Sequence, residues 1–134
     1  MASDINNFEN DYVTDWVYDL RHAQDVSIIE SIFKEVLETK GRLLEEKPAT
    51  LGIAAAEIVA VMKGRPTLDT PAAVEDFISR VGKPPSKELV QDALKVIERV
   101  KDGSALQQLW DERDDGEDWR ESLSDLEDRL GDED

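Results

Sequence analysis

The segment FENDYVTDWVYDL, residues 8–20, places Asp11, Asp15 and Asp19 four residues apart. On a helix that spacing stacks three carboxylates along one face, where like charges repel. Such a column can do three kinds of work. It can ligate a hard divalent cation, relay protons as a general acid and base, or meet a basic partner. Neither an EF-hand spacing nor a Glu-x-x-His pair accompanies it. The structural alternative is that Asp11 caps a helix, where acid suits the dipole, while Asp15 and Asp19 bond to backbone or arginine elsewhere. Arg21 and His22 directly follow Asp19 and would offset it at the C-terminal end of that helix.

Other catalytic chemistry finds little footing. His22 is the only histidine, and no Gly-x-Ser-x-Gly elbow exists to supply a nucleophile for it. KGRP and GKPP lack the Gly-x-x-x-x-Gly-Lys frame that cradles phosphate. The absence of cysteine rules out disulfides, thiolate metal sites and a Cys nucleophile. The sequence therefore predicts a protein that is not an enzyme and needs no metal or cofactor.

A second acidic stretch, DERDDGED, lies between Trp110 and Trp119. Its plain reading is a solvated face whose tryptophans anchor the last helices. Its functional reading is a protein interface, in which aromatics anchor and charges steer. The candidate contact residues are Asp111, Asp114, Asp115, Glu117, Asp118 and Trp119.

These acids belong to a wider imbalance. The 134 residues include 32 Asp and Glu against 16 Lys and Arg, a formal net charge of −16. Residues 111–134 alone hold thirteen acids against three arginines. Such a surface disfavours direct binding to nucleic acid or anionic membrane, both of which require cationic side chains. The N-terminus MASDINNFEN has no basic stretch leading into an apolar one, and LGIAAAEIVAVM is too short to span a bilayer. A soluble, cytoplasmic protein is expected.

The elements that must position these residues are helical throughout. Val13, Trp16, Val17 and Leu20 share one face. Ser27 and Glu30 have capping-box spacing ahead of a stripe of Ile28, Ile29, Ile32, Phe33, Val36 and Leu37, and Gly41 is the expected stop. KPATLGIAAAEIVAVMKG is apolar nearly all round and belongs at the centre, ending at Gly64 and Pro66. Thr70, Pro71 and Gly82 read as cap, first helical residue and stop of the next helix. Ser86 opens a helix expected to bury Leu89, Val90, Ala93, Leu94, Ile97 and Val100. Ser104 and Gln107 form another capping box, ahead of anchors Leu106, Leu109 and Trp110. Trp119, Leu123, Leu126 and Leu130 make a narrow seam on the last helix. The prediction is an all-α, compact single-domain bundle of six or seven short helices spanning residues 1–134, with 1–7 and 131–134 frayed.

With these motifs in place, the chain resembles a known bacterial family, filed as domain of unknown function 4259. The resemblance rests on Phe8, Asn10, Asp11, Asp15, Trp16, Asp19 and Leu20, on AAAEIVAVMKGRP at 54–66, and on LWDE at 109–112 followed by Trp119. It covers about residues 8–130. In the family a Trp-Gly-rich segment precedes the Phe, whereas this chain reads SDINN there. The resemblance implies a fold and no established chemistry.

Three functional readings follow. In the first, the protein is an acidic binding module, an immunity or inhibitor protein that caps a basic toxin or other nucleic-acid-binding partner, its carboxylates imitating phosphates. In the second, it is a structural helical domain that homodimerises through an exposed Trp119–Leu130 seam. In the third, Asp11, Asp15 and Asp19 hold a catalytic metal.

Overall fold

The computed structural model describes residues 11–39, 41–65, 70–114 and 116–131. Among these, seven helices run in order: α1 (Asp11–Leu20), α2 (Ser27–Glu38), α3 (Glu46–Met62), α4 (Ala72–Val81), α5 (Lys87–Lys101), α6 (Ala105–Asp111) and α7 (Gly116–Gly131). The described residues contain no strand, as the sequence predicts. Gly131, expected among frayed terminal residues, closes α7; residues 1–7 and 132–134 lie outside the described residues.

The bundle is built around α3. Thirteen of its seventeen residues are buried, which is why its sequence is apolar on every side. It packs against α1, α2, α5, α6 and α7. Small residues set how near these neighbours come. A Cβ added at Gly52 would lie 2.9 Å from Val96 Cγ1 on α5 and 3.2 Å from Val36 Cγ2 on α2. The other helices each bury one stripe: Val13, Trp16 and Leu20 on α1, Ile29, Phe33 and Val36 on α2, and Trp119, Leu123, Leu126 and Leu130 on α7.

Helix ends show where local sequence decides and where it does not. Ser86 Oγ accepts the Leu89 N–H at 3.1 Å, as its position predicts. Ser104 Oγ accepts the Gln107 N–H at 2.9 Å, but Gln107 Oε1 reaches back to the Gly103 N–H at 3.3 Å, one residue beyond the reciprocal capping-box partner. Beyond α3, the Arg65 N–H bonds to the Ala60 carbonyl and the Gly64 N–H to Val61, with Gly64 at φ +84°; this paired closure needs a residue without a Cβ.

Four expectations at helix ends are corrected. Ser27 caps nothing: Asp25 Oδ1 accepts the Ser27 N–H at 3.0 Å, and Val26 occupies the cap position. The Glu30 N–H that a Ser27 cap would serve donates instead to the Val26 carbonyl at 2.9 Å. Helix α2 stops at Glu38, two residues short of the expected region, with Thr39 extended and its hydroxyl donating to the Glu35 carbonyl. Pro71, not Thr70, precedes the first helical residue of α4, and its carbonyl accepts from Val74 and Glu75. Leu109 is 46% exposed, because α6 is only two turns long and Leu106 and Trp110 fill its inward side.

Basic side chains from distant helices finish other helix ends. Arg80 on α4 donates to the carbonyls of Leu20 and Ala23 after α1. Arg99 on α5 donates to Thr39 after α2, to Arg42 at 2.7 Å and to Gly103. Lys63 after α3 donates to Leu130 near the end of α7. Each puts positive charge at the negative pole of a helix. Leu44 and Ser104 form an isolated parallel bridge, in which the Leu44 N–H donates to Gly103 at 3.0 Å and the Ala105 N–H to Leu44 at 2.7 Å.

Candidate functional site

The corner between α6 and α7 is held by an aromatic stack. The rings of Trp110 and Trp119 lie parallel, 2° apart in plane, with centroids separated by 6.0 Å. The Arg113 guanidinium sits over the Trp110 ring, 4.3 Å from its centroid. Gly116 permits the tight turn: a Cβ there would lie 2.4 Å from the Trp110 carbonyl oxygen. Trp119 is only 1% exposed. It is therefore corrected from a contact residue to a core residue, while Trp110 is half-buried and reaches the surface.

The acids of the corner divide into two sets. Asp111 accepts from Gln107 Nε2 and from Arg120 Nη2, the latter at 3.0 and 3.1 Å to its two oxygens. The Gln107 hydrogen bond, and after it the Arg120 bond and charge, hold the Asp111 carboxyl below the usual carboxylate range. Glu112, Asp114, Glu117 and Asp118 are exposed and take no side-chain partner among the described residues. Glu117 and Asp118 sit in the first turn of α7, where the helix dipole favours them. Glu112 and Asp114 follow the C-terminus of α6, where the dipole opposes them, so local helix energetics do not account for their charge. Together with Arg113, they and Asp118 line an open depression on the surface. Asp115 lies outside the described residues.

On α1, Asp11 is the first helical residue rather than the cap, and stands in the first turn, where its charge is favoured. Trp16 is buried in the core. Asp15 and Asp19 are exposed, and among the described residues neither finds the backbone or arginine partner expected of it. Arg21 and His22 turn instead to Tyr18, each 5.8 Å from its ring. At 3.6 residues per turn, Asp11, Asp15 and Tyr18 share the outward ridge of α1, with Tyr18 60% exposed, and His22 follows in the turn after the helix. Among the described residues no three carboxylate or imidazole groups gather as a metal site would require. Phe8 and Asn10 lie outside the described residues.

The second reading loses its interface. The Trp119–Leu130 seam points inward, its four residues no more than 1% exposed, and cannot serve as a dimer surface. Sequence reasoning also missed two residues. Glu112 joins the unpaired acids, and Tyr18 is the most exposed large side chain of α1. Both were signalled by position: Glu112 directly follows Trp110–Asp111, and Tyr18 stands seven residues after Asp11 on the same face.

A family model described as a domain of unknown function, number 4259, matches residues 2–122. The chain belongs to this family. The match takes in the whole α6–α7 corner through Trp119 and ends within α7. No curated protein and no solved structure matches the chain. Among the described residues, no helix is long and apolar enough to cross a membrane.

Proposed function

We propose that this protein is an acidic binding module that caps a basic protein partner, in the form of an immunity or inhibitor protein acting on a cationic toxin in a bacterial cytoplasm. The observation that carries this reading is an asymmetry in how charges are used. Arg80, Arg99 and Lys63 engage helix carbonyls, Arg129 and Arg120 pair with Glu57 and Asp111, and Arg113 covers Trp110. These six cations are engaged by groups of the fold, whereas Glu112, Asp114, Glu117 and Asp118 are exposed and take no side-chain hydrogen-bond or ion-pair partner among the described residues. Clustered carboxylates would steer a cationic surface into encounter and then occupy the positions its phosphate ligands take. Trp110, half-buried beside them, supplies an aromatic anchor of the kind interfaces favour.

The test is capture of partners from the source cell's lysate on the immobilised protein at low and at moderate salt, identified by mass spectrometry. One basic protein retained in near-stoichiometric amount and released as salt rises is expected, because screening weakens exposed charge pairs. Retention of no basic protein by the folded module overturns the reading.

A further inference from the structure

We propose that the indole face of Trp110 now covered by Arg113 is a seat for an arginine side chain of the basic partner, which displaces Arg113 from it. The inference rests on the reading of the α6–α7 corner as the surface that meets such a partner, and it names the side chain recognised there. An aromatic face holds a planar, weakly hydrated guanidinium better than a strongly hydrated ammonium. Trp110 is half-buried, and Glu112, Asp114 and Asp118 line the depression at this corner together with Arg113. The seat is seen filled by the group it fits: the Arg113 guanidinium lies over the indole, 4.3 Å from the ring centroid.

The parts of the corner differ in what holds them. Trp110 is stacked on the buried Trp119, and Asp111 beside it is fixed by Gln107 and Arg120. The turn that follows is held through its backbone. The Arg113 N–H donates to the Trp110 carbonyl at 3.0 Å, and the Gly116 N–H to the Arg113 carbonyl at 3.3 Å. The Arg113 side chain is exposed, so rotamer changes alone can carry it off the indole with both helices in place. An incoming arginine then replaces one cation–aromatic contact with another and adds charge-assisted bonds to the exposed carboxylates. Arg113 thus acts as an internal competitor. It lowers the apparent affinity by the fraction of molecules in which it holds the seat.

The experiment is calorimetric titration of the full chain with capped tetra-arginine and tetra-lysine peptides at low salt, with the Trp110 indole N–H resonance followed alongside. Tetra-arginine is expected to bind about 3- to 10-fold more tightly than tetra-lysine and to shift that resonance. Trp110→Leu is expected to bring the two affinities together while both peptides still bind. Arg113→Gln makes the corner more acidic for both peptides alike, so a rise in the arginine-to-lysine ratio of about twofold or more reports the opened seat. That ratio decides even where Trp110→Leu fails to fold, because Arg113 is exposed. Equal affinities for the two peptides, an arginine preference that survives Trp110→Leu, or an unchanged ratio in Arg113→Gln would each overturn the seat and leave the acidic-corner reading standing. Failure of both peptides to shift the amides of Glu112, Asp114 and Asp118 would overturn the seat and that reading together.

Discussion

Arg129 on α7 grips Glu57 on α3 with both prongs of its guanidinium, Nη1 to Oε1 at 2.8 Å and Nη2 to Oε2 at 3.2 Å. Its Nε bonds Asp125 at 2.9 Å, and Nη1 also reaches the Arg65 carbonyl at 3.2 Å. Glu57 is 2% exposed, so each partner makes the other's burial tolerable. Burial alone would lower the Arg129 pKa; hydrogen bonding and charge from Glu57, then from Asp125, reverse this and raise it. Arg129→Met should destabilise the fold by roughly 3 kcal/mol in urea denaturation, since it strands a buried carboxylate. Adding Glu57→Leu should restore most of that loss, because the pair then leaves no uncompensated charge. A double variant no more stable than Arg129→Met would show that the loss lies in packing.

Gly116→Ala should destabilise by about 1–3 kcal/mol, because its new methyl meets the backbone of Trp110 and not a movable side chain. The near-ultraviolet circular dichroism of the Trp110–Trp119 stack should weaken with it. Gly131→Ala is the matched control: among the described residues nothing lies within 4 Å of the added Cβ, so stability should hold or rise slightly.

Reversing Glu112, Asp114, Glu117 and Asp118 to Lys together should slow capture of the basic partner about tenfold or more and flatten its salt dependence. The fold should persist with a small loss of stability from the two reversals in the first turn of α7, since none of the four takes a side-chain hydrogen-bond or ion-pair partner among the described residues. Association rates measured by stopped flow at two salt concentrations decide this. An unchanged rate would remove the α6–α7 corner from the interface.

Asp111 offers a pH readout. Its folded-state pKa is depressed, so its contribution is present above the unfolded-state value and is lost as pH falls through the folded one. Gln107→Ala and Arg120→Ala should each raise its titration midpoint, because the hydrogen bond from Gln107, and after it the bond and charge of Arg120, hold it down. Carboxyl carbon chemical shifts report this directly. Asp25, also depressed and held down by Ser27, should not move in either variant.

Much of this architecture was legible in the sequence, because its cause is local. Periodicity found the buried stripes of α1, α2, α5 and α7, and the all-round apolar character of α3 announced its central place. Ser86 and Ser104 were readable as caps because the group each serves lies three residues on. Ser27 misled because the helix takes Val26 as its cap, with Asp25 accepting the Ser27 N–H and the Val26 carbonyl accepting from Glu30. What could not be read depends on pairings across the fold. Glu57 and Arg129 lie 72 residues apart, and Arg80 meets the end of α1 from 60 residues away. The corner shows the same division. That residues 111–118 are acidic was plain, but only the packed helices reveal that Asp111 is engaged by Arg120, that Trp119 faces inward, and that Glu112 stands free of side-chain partners among the described residues.

The bridge at Leu44 and Ser104 bears on how the molecule breathes. It joins the connection between α2 and α3 to the one between α5 and α6, and Leu44 is fully buried. Two connections that chain order would mark as early points of opening are thereby tied into one unit with the central helices. Deuterium from solvent should reach the Leu44 and Ala105 amides no sooner than those in the middle of α5. Exchange at these sites would then record the rare unfolding of the entire bundle rather than the loosening of a loop.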